Sequence, residues 1–402
     1  MSKLVMLLLA AYPILSYYRG LAGFSYAELL TLLLFSFACI KEKSIAINIS
    51  SSYKKFWGYA AISLILTSYI SGSFKLTYLI PGGLAFFIWS IALGLTIKYF
   101  DFKILKKYLY LIFFIASILL IGQELLYQTI GSRFVPFLPL GKQLTIYDMS
   151  YSELVALRTY GPRSCSIFAE PSYFALYALP VLAIELFSMQ NKNKPLTSFS
   201  IFIIFILLLL KSGVALLGMS LVLFIKFFTF YKNANKSVIV LFSLCCVPVL
   251  IFLVMKFIGS ETGSDLLARS EEFSSNSSSA YFRVIRGYII YAQLPLVNKF
   301  LGMSTDLLLT LNIPELIYSV DDSSNLYFNG IQTILMKQGL CGLILCFCFY
   351  VRLYKQADLI SRCLLWILLF YSLVDQIFLS PSMLLCTCIA CSLMLHSYKQ
   401  YK

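Results

Sequence analysis

The residues best suited to chemistry gather between Arg158 and Ala175, in the run R-T-Y-G-P-R-S-C-S-I-F-A-E-P-S-Y-F-A. Arg158 and Arg163 bring two guanidinium groups, Glu170 brings one carboxylate, and Gly161, Pro162 and Pro171 tighten the chain around them. A guanidinium is a planar fork that pairs bidentately with phosphate oxygens, and each charge-assisted hydrogen bond contributes about 1.5–3 kcal/mol. Arginines at helix ends also snorkel to lipid headgroups. Two of them beside a carboxylate in a turn rich in Pro and Gly fit the binding of an anion better. Glu170, with positive charge on both sides, is expected to stay ionised. It then orients an arginine or takes a proton from an attacking hydroxyl, and the first role is favoured because a firmly paired carboxylate is a weak base.

Three further cations are candidates. Arg283 and Arg286 lie three residues apart, so on a helix they share one face, to converge on an anion or to meet headgroups as a stripe. Lys211 interrupts apolar sequence on both sides, as a third anion contact or as an interfacial anchor. Asp321 and Asp322 have no third acid beside them, too few oxygens for a hard cation, so no metal is expected. Cys386, Cys388 and Cys391 mimic ligand spacing, but their apolar surroundings read as buried small hydrophobes. Nucleotide-binding signatures (G-x-x-x-x-G-K-[ST], or G-x-G-x-x-G on a strand) are absent from the sequence, and the lone histidine, His396, lies near the end of the last apolar run.

The elements that must carry these side chains are apolar helices. With 402 residues, 60% of them hydrophobic, 12% charged, and a mean hydropathy of +0.84, the chain has more apolar surface than a soluble domain can hide. Long apolar runs without strand-like alternation predict an all-α polytopic membrane protein, with about twelve transmembrane helices in one integral membrane domain, 1–402. Residues 4–17 lack a following cleavage site and read as the first span or a signal anchor. The fifth span runs from 108 to about 122, the sixth starts at 172, a pair at 198–210 and 213–228 flanks Lys211, and the ninth covers 238–258. Two long external loops follow, 123–171 and 259–324, the second with an amphipathic helix over 281–296. The acids Glu28, Glu185 and Asp375 fall inside spans and are expected to pair or line a cavity.

The net charge of +14 raises the question of a nucleic-acid partner. On this topology the cytoplasmic segments hold 19 of the 32 Lys and Arg against three acids, Glu42, Asp101 and Asp358. That is the asymmetry that orients membrane proteins, and it removes the case for nucleic acid.

The run Arg163–Ser172, R-S-C-S-I-F-A-E-P-S, resembles the R-x-x-x-x-F-x-E-P-S motif at the start of a membrane helix in the bacterial O-antigen polymerase (Wzy-type) family. Two arginine-bearing external loops are similar to that family's, as is the run N-G-I-Q-T-I-L-M-K-Q-G-L-C-G at 329–342. Lys211-Ser212-Gly213 stands where relatives often carry Ser-Arg. The resemblance implies a GT-C-like glycosyltransferase of the bacterial inner membrane with a periplasmic active face. It implies a donor and an acceptor that are both oligosaccharide units on undecaprenyl pyrophosphate, and a flippase and a chain-length regulator as pathway partners. Neither nucleotide nor metal is implied as a cofactor. Under it, Arg163, Glu170 and Arg283 are the catalytic candidates, and Arg158, Lys211 and Arg286 the substrate-binding ones. The alternatives are an O-antigen ligase, which by resemblance would carry an external histidine before the tenth span, and a lipid-linked oligosaccharide flippase.

Overall fold

The computed structural model of the protein describes residues 1–42, 51–70, 76–136, 138, 140, 151–161, 163–188, 196–233, 284–303 and 328–400. Among them the chain is helical, and the β-type pairing is confined to one bridge between Arg19 and Ser25. Among the described residues three helices are long and apolar enough to cross a membrane: α5 (Phe102–Ile130), α9 (Gly213–Asn233) and α12 (Gly330–Gln356). Shorter apolar stretches lie in α1 (Ser2–Leu15), α4 (Leu76–Tyr99), α7 (Pro171–Phe187), α8 (Ser198–Leu209), α13 (Leu359–Val374) and α14 (Pro381–Gln400). The other helices are α2 (Tyr26–Glu42), α3 (Ser51–Ile70), α6 (Tyr151–Tyr160), α10 (Arg286–Gln293) and α11 (Leu296–Leu301). Apolar helices satisfy their own backbone groups without water, as hydrocarbon requires, and they mark this as a membrane protein.

Helix α5 has well-defined ends and two unlike faces. The Asp101 carboxylate accepts the Ile104 N–H at 3.1 Å, and Gly131, at φ 69°, closes the other end. Leu105, Leu109, Phe113, Ala116 and Leu120 form its buried stripe, whereas Leu111, Phe114, Ile115 and Ile118 are about half exposed. In a membrane such an exposed apolar face looks at lipid. Helix α7 is the opposite case: every residue from Phe174 to Phe187 is buried, and the helix packs against α5, α8, α9 and α13. It is the centre of the bundle, and its first turn is the Glu170-Pro171-Ser172 sequence.

A second packed unit joins α10, α11 and the first half of α12. Gly339 sits at φ 64°, ψ −170°, a break inside α12 that only glycine adopts readily. A Cβ there would stand 2.2 Å from the Phe300 carbonyl oxygen, and one at Gly302 would stand 2.3 Å from the Gln338 nitrogen. The two backbones therefore touch, and Tyr59 and Ser63 of α3 donate to the Phe300 and Leu301 carbonyls at 3.2 and 2.9 Å.

Several expectations change on this frame. The fifth helix does not stop near Gly122 but runs on to Ile130, so the first loop begins eight residues later than expected and carries a helix of its own, α6. The single helix expected over 281–296 is instead α10 and α11, broken at Leu294 and Pro295, because proline at 295 has no N–H to continue the ladder. The span at 238–258 and most of the loop at 259–324 lie outside the described residues, as do Asp321 and Asp322. The acids expected to find partners do so. Glu28 accepts from the Ser25 N–H and hydroxyl at 2.7 and 2.9 Å, and Glu185 takes hydroxyls from Tyr110 and, at 2.7 Å, Thr197. Gln376 N–H donates to the Asp375 carboxylate at 2.8 Å. Cys386, Cys388 and Cys391 are buried in the core, as small apolar side chains are.

Candidate functional site

The inward stripe of α5 does not end in apolar residues. It continues from Leu120 to Gln123 and Glu124, both buried, three and four positions on. Glu124 lies 17 residues beyond Lys107, about 26 Å along the helix, whereas the hydrocarbon layer is about 30 Å thick. A carboxylate buried in an apolar helix of that length requires partners, and it has three. Arg133 Nη2 and Lys211 Nζ each stand 3.5 Å from it, and the Ser164 hydroxyl donates to its Oε1.

Arg133 is wholly enclosed. Its Nη1 donates to the Gly161 carbonyl, its guanidinium lies 3.6 Å over the Tyr127 ring, and its backbone N–H donates to Thr159 at 2.9 Å. The buried Nε makes no hydrogen bond among the described residues. An unsatisfied buried donor costs about 1–3 kcal/mol, and such costs are kept most often where a site has a use for the group.

Gln123 does for the backbone what Glu124 does for charge. Its amide donates to the Phe134 carbonyl at 3.0 Å and accepts the Ser166 N–H at 2.8 Å. Ser166 sits at φ 56°, and its hydroxyl reaches the Ala116 carbonyl on α5 at 2.6 Å. The segment 164–169 is thereby pressed into the bundle and buried, and Arg158 Nη2 clasps its Ala169 carbonyl at 2.8 Å. Burial pushes the Cys165 thiol above its usual range, against the nearby Arg158 charge, which pulls it down.

The third cation comes from a different part of the chain. Lys211 occupies the two-residue break between Leu210 and Gly213, at φ 48°, a conformation that strains a residue with a Cβ. Its side chain remains 43% exposed while its ammonium pairs with Glu124. Arg133, Arg158 and Lys211 outnumber the two nearby carboxylates, Glu124 and Glu170, and leave the cluster positively charged. What it can do chemically is hold an anion with donors fixed in advance, which stabilises negative charge as it develops.

The six expected site residues take different places. Arg158 is buried and structural to the cluster, and Lys211 stands at its open edge. Arg163 has an exposed side chain. Glu170 is half buried at the start of α7, where its carboxylate accepts the Ser172 hydroxyl at 2.9 Å and its carbonyl accepts the Phe174 N–H at 3.2 Å. Arg286 is 2% exposed at the start of α10, next to Gly287, which packs on Gln332 of α12. Arg283 lies outside the described residues, so the shared helical face expected of Arg283 and Arg286 is not defined by them. Gln123, Glu124, Arg133, Ser164 and Ser166 were not anticipated. The signal for the first two was available: they extend the i, i+3, i+4 series of Ala116 and Leu120.

Among the described residues no three His, Cys, Asp or Glu side chains converge as metal ligands. A cleft of about 300 Å³ between α12 and α13 is lined by groups such as Ile334, Phe347, Trp366 and Leu369, without a charged side chain. Fold and site together define an all-helical membrane protein with a buried, ion-paired cation cluster at one end of its bundle. No protein-family model matches the chain, and no curated protein matches it.

Proposed function

We propose that the protein is an O-antigen polymerase of the bacterial inner membrane, a GT-C-like glycosyltransferase with about twelve spans and a periplasmic active face. It joins oligosaccharide repeat units carried on undecaprenyl pyrophosphate. The observation that carries this reading is the cation cluster around Glu124, sunk at the end of α5 opposite its lysines, Lys103, Lys106 and Lys107. A lipid-linked diphosphate has its charge at that depth and its chain in hydrocarbon.

In the reaction, the bond between the anomeric carbon and the pyrophosphate oxygen of the growing chain breaks, and a hydroxyl of the new unit forms the replacement bond. The leaving pyrophosphate gains negative charge, and cations fixed in advance lower the barrier by meeting it. Lys211 and Arg163, both with exposed side chains, are the contacts at the open edge. Arg158 and Arg133 hold the wall behind them. Arg286, with Arg283 three residues before it in the sequence, is assigned as a further cation for the diphosphate. Glu170, at a helix start, takes the acceptor proton or fixes an arginine, the proton then passing to the departing pyrophosphate. The departing group supplies the driving force, so neither nucleotide nor metal takes part. The flippase delivers new units and a chain-length regulator acts on the product.

Deletion of the gene, followed by electrophoresis of the surface polysaccharide, tests this. A polymerase loss leaves lipid A–core with a single repeat unit. Bare core would instead indicate a ligase or a flippase, and an unchanged ladder would remove the chain from the pathway.

A further inference from the structure

Glu124 is the point at which three separate pieces of chain meet. Its Oε1 takes the Ser164 hydroxyl and faces Arg133, at the base of the loop after α5, and its Oε2 faces Lys211, at the α8–α9 break. None of these residues adjoins another in sequence, and α5, the rigid element among them, provides the carboxylate. Lys211 has little else to fix it: its side chain is 43% exposed, and it sits on two non-helical residues between helices. A lysine so placed has roughly 2 kcal/mol of rotamer entropy to lose on being fixed. The carboxylate 3.5 Å away restricts where its ammonium can go.

We infer that Glu124 is a positioning residue for the transfer reaction, aiming the Lys211 ammonium at the leaving diphosphate while the enclosed Arg133 guanidinium holds the carboxylate in place. This rests on the polymerase reading. A carboxylate beside an anion site weakens anion binding by simple repulsion. Its presence in the cluster is therefore a cost to affinity, compensated by the orientation it imposes. That gives a signature unlike that of a merely structural group. With Glu124→Gln, the amide keeps the size of the side chain and an acceptor for Ser164 but loses the charge. The anion then binds as tightly as before or more tightly, while turnover falls, because misplacing a catalytic group by about 1 Å costs about 100-fold.

The experiment uses the full chain in nanodiscs, with farnesyl diphosphate as the binding probe and the lipid-linked repeat unit as substrate. For Glu124→Gln the expected result is a Kd for the probe equal to or below the wild-type value, with kcat lowered about 100-fold. Glu124→Asp keeps the charge on a shorter arm, and its kcat is expected to lie between the two. It also serves as the reading if Glu124→Gln fails to accumulate. Unchanged kcat in both variants overturns the inference and leaves the polymerase reading standing. Probe binding lost in step with turnover also overturns it, since that marks a collapsed site. A wild-type protein that neither binds the probe nor elongates the substrate overturns the polymerase reading itself.

Discussion

Replacing Arg133 by alanine removes the group on which the packing of the site turns. Its guanidinium is fully enclosed, and it is shared between the Glu124 carboxylate, the Gly161 carbonyl and the Tyr127 ring. Removing one member of a buried ion pair typically costs about 3–5 kcal/mol, mostly because the surviving charge is left unpaired. Glu124 would retain the Ser164 hydroxyl and Lys211, but Lys211 is partly exposed and solvent-screened, so it compensates little. The ring contact adds about 1–2 kcal/mol in a desolvated setting, and the cavity left behind adds to the loss. Against these, the unsatisfied Nε disappears, returning about 1–3 kcal/mol. The balance is a loss of about 3 kcal/mol. Equilibrium unfolding in mixed micelles measures it, with Arg133→Lys as the companion, expected at about half the loss because it keeps the charge but neither the fork nor the flat face. An Arg133→Ala variant within 0.5 kcal/mol of wild type would refute the reasoning, since a buried carboxylate stripped of its enclosed partner would then cost almost nothing.

Two other predictions follow from the backbone and from burial. Gly339→Ala forces a Cβ into a backbone region reserved for glycine and to within 2.2 Å of the Phe300 oxygen, and should destabilise the protein by about 2–6 kcal/mol, read by the same unfolding assay. Cys165 is buried and its thiol is pushed up, so the reactive thiolate stays scarce until pH exceeds the ordinary cysteine range. A membrane-impermeant maleimide should therefore leave Cys165 unlabelled at pH 7–8, whereas Arg163→Cys in a Cys165→Ser background should label readily; the reverse pattern would contradict the placement of this segment.

The helical membrane architecture was legible because hydropathy and charge asymmetry are local properties of the chain. Arg158 and Lys211 were conspicuous as cations set in apolar or turn-rich sequence, but their contacts, to the Ala169 carbonyl and the Glu124 carboxylate, were not legible there. Nor was the end of α5, because a Gln-Glu pair after a long, mostly apolar run looks like the exit from a membrane. It continues to Ile130 since both polar side chains turn inward to partners at 133, 164, 166 and 211; their spacing from Leu120 marks the inward face, but no local pattern names those partners. Arg133 was missed for the same reason. Arg163 stood out by its motif, yet its side chain is exposed while Arg158 carries the buried contact to Ala169. The glycines of K-Q-G-L-C-G could be noted as a pattern, but their causes, the approach of the α11 backbone at Gly339 and of the Gln338 side chain at Gly342, appear only in three dimensions.

Proteoliposomes holding the purified chain and one lipid-linked repeat unit, with no nucleotide added, give the decisive reading. Products should appear as a ladder of two or more units with release of undecaprenyl pyrophosphate, and Lys211→Ala should slow them. Wild-type protein that returns single units alone, or that elongates them only when a nucleotide sugar is supplied, would contradict a diphosphate-gripping polymerase.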